Sequence, residues 1–266
     1  VGEARSGTGA EERVRALSGL AAATPPYRAK PAAERLYGRT RGSKLRPRQQ
    51  ALLDVTLPRL LLAEAALADP ASAFTVRPRQ IWLEVGFGGG EHARAQASAN
   101  PDAGLIACEV YENGICSLLS ALVPAGDEAT APLPGNLRIW DDDARLLLRR
   151  LPAACLDRLF LLFPDPWPKA RHAKRRFVHP DNLALAARAL RPGGEWRIAS
   201  DDPTYQAWTA EVLAGQTLFA AAAPAQRRPA GWPATRYERK AELAGRPSLY
   251  WSAIRTDVPV ADEPPS

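Results

Sequence analysis

The sequence predicts an α/β fold, a mostly parallel sheet with helices on both faces, and three observations predict it. Short apolar runs alternate with helical patterns from Pro78 onward. A glycine-rich turn, Gly86-Phe87-Gly88-Gly89-Gly90, closes the first run. Acidic residues close the next two, at Glu109 and at Asp141-Asp142-Asp143, where sheets of this kind bind their ligands.

Along the chain, residues 1–47 mix Gly, Ala, Pro and Arg without a sustained apolar period. This predicts a basic, partly disordered arm ahead of a single domain over 48–266. The net charge of +6 is concentrated there: residues 1–50 hold 11 Lys/Arg against 4 Asp/Glu, and the rest hold 24 against 25. Such an arm engages a polyanion by releasing its counterions, although the same composition also suits a solvated tail. From Arg48 to Ala68, leucines 52, 53, 57, 60, 61 and 67 recur near helical spacing. They predict a helix kinked or split at Pro58 and packed as a lid beside the sheet. Strands are expected over 81–87, 105–110, 136–140, 156–163, 195–200 and 249–255, with helices over 91–99, 111–122, 144–150 and 180–190. The alanine-rich stretch from Leu218 to Pro233 reads as a loose loop.

Composition narrows the classes further. Hydrophobic residues make up 46% and charged residues 24%, the balance of a globular protein. Cys108, Cys116 and Cys155 are too few for a disulfide framework and lack metal-ligand spacing, which fits a reducing cytoplasm and no metal. No stretch approaches the roughly 18 apolar residues of a spanning helix. Val1 to Arg15 is too acidic and glycine-rich for a signal peptide.

The glycine turn alone is a weak signal. For a dinucleotide fingerprint the position after Gly90 should be glycine, but it is Glu91, which would set a negative charge near a pyrophosphate. S-adenosyl-L-methionine carries no phosphate and has a cationic ammonium and sulfonium, so acids near the turn are useful to it. Glu84, two residues before Gly86, is placed for the cationic side of that ligand. Glu109 follows Gly86 by twenty-three residues, at the end of the second strand, where a carboxylate accepts from both ribose hydroxyls. Among Asp141, Asp142 and Asp143, one side chain beside the adenine amino group would complete the set. The plainer reading of any one of them, Asp141 and Asp142 above all, is a helix N-cap or a solvated strand end.

The fourth apolar run leads into Pro164-Asp165-Pro166-Trp167-Pro168-Lys169, where alternate prolines hold an acid and an aromatic ring in a rigid turn. Trp167 suits stacking on a flat base, and Asp165 suits accepting from its N–H groups. Lys169 to Arg176 then holds five cations and a histidine in eight residues, as a phosphate backbone beside such a base requires. A solvated proline turn followed by a basic helix start is the plainer reading. His92, His172 and His179 lack partner spacing and are expected at the surface or in turns.

Leu83-Glu84-Val85-Gly86-Phe87-Gly88, Cys108-Glu109-Val110, Phe163 through Arg176 and Thr235-Arg236-Tyr237-Glu238 are similar, in order, to motifs of the bacterial tRNA (guanine-N7-)-methyltransferases. The proline-tryptophan motif with its basic continuation is specific to that family, whereas the glycine turn is not. The resemblance implies a class I methyltransferase (Rossmann-like) fold with a seven-stranded sheet, and methylation of N7 of the variable-loop guanosine, position 46, of tRNA. It implies S-adenosylmethionine binding by Glu84, Gly86, Glu109 and Asp143, the last chosen for the Ala144 beside it, and Asp165 as principal active-site acid. Lys169, Asp201, Thr235, Arg236, Tyr237 and Glu238 would hold the substrate, while Arg171, His172, Lys174, Arg175 and Arg176 would meet RNA. The partner is tRNA, and the enzyme is expected as a monomer or homodimer. The rival readings are an amino-group nucleic-acid methyltransferase and a non-catalytic RNA-binding protein of the same fold.

Overall fold

A computed structural model describes residues 40 and 42–260. The first 39 residues, which hold most of the expected arm, lie outside that range. The apolar runs become β1 (Gln80–Val85), β2 (Ala103–Cys108), β3 (Leu137–Trp140), β4 (Leu156–Leu162), β5 (Leu190–Ser200), β6 (Phe219–Ala221) and β7 (Leu249–Arg255). They form one sheet in the order β3-β2-β1-β4-β5-β7-β6. The first five strands pair in parallel, and β7 runs antiparallel to both β5 and β6. The chain winds outward from β1 to β3 and returns to β4 beside β1. The carboxyl ends of β1 and β4 therefore flank the crevice where the winding direction reverses.

Among the described residues, seven α-helices follow in chain order: α1 (Pro47–Ala51), α2 (Glu91–Ala99), α3 (Glu112–Leu122), α4 (Ala144–Arg150), α5 (Pro180–Ala189), α6 (Pro203–Ala214) and α7 (Arg236–Leu243). Pro47, Pro180 and Pro203 each open a helix, where a missing N–H costs nothing. Side-chain alternation along the strands separates two cores. Leu83, Leu159, Leu161 and Ile198 pack with Leu147, Leu148, Leu183 and Ala186 on one face. Trp82, Leu105, Ile139 and Phe160 pack with Ile115, Leu118 and Leu119 on the other.

Three expectations change. The leucine-rich segment does not run as one helix to Ala68, although its helical turns do break just past Pro58. After α1 it tightens through a π-turn at Leu52–Thr56 and a 3-10 turn at Leu57–Arg59, and extends at Leu61. Pro58 cannot continue the ladder. Nor is the segment a lid: Leu52, Leu57 and Leu60 are core, while Leu62 N donates to Ile139 O and Ile139 N to Leu60 O, both at 2.8 Å. These bonds cover the exposed edge of β3. The stretch after Leu218 contributes β6, whose Phe219 is buried against Trp196. β5 begins five residues before the expected Glu195, with a register shift opposite Leu156 and Arg158. Among the described residues, no helix is long and apolar enough to cross a membrane, and no group of three or more His, Cys, Asp and Glu could hold a metal.

Candidate active site

β1 ends at Val85, and the turn beyond it takes left-handed backbone at Gly86, Gly88 and Gly90, with φ of 71°, 59° and 79°. L side chains rarely adopt such angles, which explains the glycines. A Cβ on Gly86 would meet nothing within 4 Å, so the space beside it is open. Glu109 holds the turn from the end of β2. Its Oε2 accepts from Gly88 N at 2.7 Å, and its Oε1 accepts from Val110 N at 2.9 Å and Tyr111 N at 3.0 Å. Burial nevertheless pushes its carboxyl above the ordinary glutamate range, with a small contribution from the charge of Asp165. Gly114, which the sequence reading passed over, completes the turn. A Cβ there would stand 2.5 Å from Gly88 O, so α3 packs backbone against backbone. The available signal was a glycine inside a helical pattern.

Glu84 faces the same side of β1 as Trp82 and is only 3% exposed; its Oε2 lies 2.9 Å from His92 Nδ1. His92 is thus buried in α2, not at the surface as expected, because α2 turns it inward under the glycine turn. Asp143 caps α4: its Oδ1 accepts from Arg145 N at 2.9 Å, and its carboxylate pairs with the Arg145 side chain. Asp141 and Asp142 are half-buried beside it. These three aspartates and Glu109 lie near the end of β2, where Cys108 stands. Burial first, then Glu109, Asp143, Asp142 and Asp141, push the Cys108 thiol far above its usual range.

Beyond β4 the backbone is strained, with φ of 54° at Phe163 and 44° at Trp167. Phe163 N donates to Ala199 O at 2.8 Å, which ties the start of the loop to β5. Asp165 is exposed, as are Lys169, Arg171 and Lys174 on and beside the 3-10 turn Ala170–Arg175. Arg175 lies over the Trp167 ring at 4.8 Å and His172 stands edge-on to it at 5.9 Å. Residual burial, then Arg175, Arg171 and Lys169, lower the His172 imidazole below its usual range. Arg176 is the exception among the cations. It is buried, donates from Nε to Pro166 O at 3.2 Å and from Nη2 to Trp167 O at 3.1 Å, and covers the Trp208 ring. In this structure its donors fix the loop from inside.

Asp201, just past β5, pairs with Arg246 at 2.7 Å. Thr235 caps α7, its Oγ1 accepting from Glu238 N at 3.0 Å. Glu238, three residues on, lies deeper. Its carboxylate is buried and accepts from Arg228 Nε at 3.0 Å and Tyr250 Oη at 2.6 Å, so in this structure it braces α7 against β7. An open cleft of about 410 Å³ beside it is lined by Arg227, Arg228, Arg246 and Tyr250. Arg236 and Tyr237 lean on the glycine turn: a Cβ on Gly88 would lie 3.0 Å from the Tyr237 ring, and Arg236 reaches Glu91 at 3.8 Å.

Residues 78–250 match the family model described as "Putative methyltransferase". A tRNA (guanine-N(7)-)-methyltransferase of Granulibacter bethesdensis is 66% identical over 223 residues, covering 84% of this chain and 95% of that protein. The chain belongs to the tRNA (guanine-N(7)-)-methyltransferase family. Its relative in Paramagnetospirillum magneticum is 47% identical, covering 82% of this chain and 91% of the relative. Two solved structures share the class I methyltransferase fold. A 16S rRNA (adenine(1408)-N(1))-methyltransferase from Catenulisporales acidiphilia, solved with its cosubstrate SAM, aligns at a TM-score of 0.52 and 15% identity over 75% of this chain and 94% of that one. The 16S rRNA methyltransferase KamB aligns at 0.51 and 18% identity over 73% and 94%.

Membership in the methyltransferase family makes S-adenosylmethionine the cofactor, and the residues present fit it. Open space beside Gly86 adjoins three strand ends that bear carboxylates, as suits a cationic nucleoside. The fold gathers Glu84, Gly86, Glu109 and Asp143 at the ends of β1 to β3, and Asp165 and Asp201 past β4 and β5. Arg236 and Tyr237 arrive from the far end of the sequence.

Proposed function

We propose that the family's reaction, transfer of a methyl group from S-adenosylmethionine to N7 of the variable-loop guanosine of tRNA, is organised in this chain around Asp165. One observation carries this assignment. Asp165 is the exposed acid of a rigid turn after β4, at the reversal point of the sheet, close enough for its charge to act on Glu109.

Glu109 orients the nucleoside through its ribose hydroxyls, Glu84 faces the ammonium end, and the aspartates after β3 meet the adenine. When bound, S-adenosylmethionine supplies a methyl group on a sulfonium. Guanine N7 has a free lone pair at neutral pH, so no side chain need remove a proton before attack, and the work of the chain is positioning. Asp165 accepts from the N–H groups on the Watson–Crick edge of the guanine, which fixes the ring with N7 toward the glycine turn. The same carboxylate stabilises the positive charge that develops on the base as N7 is alkylated. Lys169, Arg171 and Lys174 hold the flanking phosphates, and the basic arm adds to that field. Tyr237 and Arg236 close over the glycine turn on which they lean, and Asp201 holds Arg246 toward the substrate.

Incubation of the protein with unmodified tRNA and labelled S-adenosylmethionine, followed by nucleoside digestion and mapping, tests this. N7-methylguanosine at position 46 of the tRNA is expected. Methyl on an exocyclic amine would reassign Asp165 to amino-group chemistry.

A further inference from the structure

A polar relay lies beneath the glycine turn, on one face of α2. His92 Nδ1 stands 2.9 Å from Glu84 Oε2, Gln96 Nε2 stands 3.2 Å from His92 Nε2, and Asn100 Nδ2 stands 3.0 Å from Gln96 Oε1. Glu84, His92 and Gln96 are each 3% exposed, so water cannot freely replace these partners. Residues 92, 96 and 100 recur at four-residue spacing, which stacks them along the helix axis. The His92 ring is held edge-on to Phe160 at 4.8 Å.

The direction of every bond follows from one end. Asn100 Nδ2 also lies 2.9 Å from the main-chain oxygen of Gln96. A carbonyl oxygen only accepts, so the Asn100 group facing it is the NH2. The second proton of that NH2 goes to Gln96 Oε1, which turns the Gln96 NH2 toward His92. His92 Nε2 must then accept, and the imidazole carries its single proton on Nδ1, aimed at Glu84. An imidazolium would set a second N–H against the Gln96 NH2, donor against donor.

We propose that Gln96 and Asn100 lock His92 as the neutral Nδ1–H tautomer, making His92 a positioning residue that leaves Glu84 a carboxylate with its full negative charge. That charge then serves the ammonium end of S-adenosylmethionine. The proposal rests on the reading of Glu84 as a cofactor-binding residue. Its physical content is a choice between two states of one pair. Beside a neutral imidazole, Glu84 receives a hydrogen bond and keeps its attraction for a cation. Beside an imidazolium the pair is neutral as a whole, and that attraction is largely cancelled.

The chain has three histidines, so two-bond 1H–15N spectra of labelled protein resolve each ring. His92 is expected with a protonated Nδ1 and an unprotonated Nε2; an Nε2–H tautomer or an imidazolium in the native protein overturns the proposal without any substitution. Gln96→Glu sets a second carboxylate against Nε2 and should convert His92 to imidazolium. The new carboxylate lies on the far side of the ring from Glu84 and offsets part of the added positive charge, so S-adenosylmethionine affinity, measured by titration calorimetry, falls about two- to threefold, while tRNA affinity stays. A charged His92 with undiminished cofactor affinity sinks the relay. Glu84→Gln separates the two readings. Normal cofactor binding there removes Glu84 itself from the site and takes the proposal with it. Loss of binding there, combined with indifference to a charged His92, leaves Glu84 in place and overturns the relay alone.

Discussion

At the ends of β1, β2 and β3 the ionisable groups are carboxylates, and the fold itself holds them: Glu84 by His92, Glu109 by three backbone amides, Asp143 by Arg145. Beyond β4 most are cations, and Lys169, Arg171 and Lys174 stand in solvent. The first half is rigid before any ligand arrives, as suits a small molecule bound in one pose. The second attracts a large polyanion over a distance set by salt and fixes only the turn that must meet the base. Asp165 stands at the boundary, an acid with the exposure of the cationic half and the rigid setting of the other.

The sharpest way to break this division is Asp165→Ala. Turnover should fall about 10²–10³-fold, the usual cost of removing one fixed electrostatic group, with S-adenosylmethionine affinity unchanged. Single-turnover assays with calorimetry check both, and equal losses in both would make Asp165 part of the rigid half. Gly114→Ala attacks that half directly, since the new Cβ meets Gly88 O at 2.5 Å. We expect about 1–3 kcal/mol of lost stability and weaker cofactor binding with tRNA affinity retained, read by thermal unfolding with and without ligand.

The cations offer a finer test. Arg171→Ala and Lys174→Ala should each raise the KM for tRNA and reduce the slope of log affinity against log salt by about 1. Arg176→Ala should leave that slope alone and lower kcat, because it strands the carbonyls of Pro166 and Trp167, at about 1–3 kcal/mol for groups left unsatisfied. A salt slope that drops with Arg176→Ala would return this residue to the RNA surface. The smallest effect is in pH. The Glu109 carboxyl titrates above the usual glutamate range, and the role proposed for it, accepting from the ribose hydroxyls, is best filled by the anion. Cofactor affinity should therefore weaken on acidification before an ordinary glutamate would protonate, and calorimetry between pH 7 and pH 5 reads the onset. The sign for stability is opposite. The buried group binds its proton more tightly in the folded state, so folding loses stability as pH rises through that window.

Most of the parallel sheet was legible because its strands are apolar on both faces and end in residues that strands do not favour. The glycine turn, Glu109 and the proline-tryptophan turn stood out for that reason. What escaped depends on contacts between distant parts of the chain. Nothing local distinguishes buried His92 from a surface histidine, or Arg176 from its four cationic neighbours, because their partners belong to other elements or to backbone. The Thr235-Arg236-Tyr237-Glu238 run does carry a local signal. Threonine followed three residues later by glutamate is a helix-start pattern, and Thr235 caps α7 accordingly. The leucines after Arg48 misled because helical spacing is also met by a chain that tightens and then extends along a sheet edge.

The placement of β7 also bears on how the protein assembles as it is made. β7 wedges between β5 and β6, so β6 has no neighbour to join until Leu249–Arg255 has emerged. During vectorial synthesis the strands β1 to β5, with every carboxylate of the nucleoside pocket, can pair before β7 exists. Tyr237 and Arg236 sit on the α7 segment between the last two strands and lean on the glycine turn, so they too emerge after the five parallel strands. A nascent chain would thus assemble the strand ends that carry Glu84, Glu109 and Asp143 before it owns the helix that leans on the turn between them.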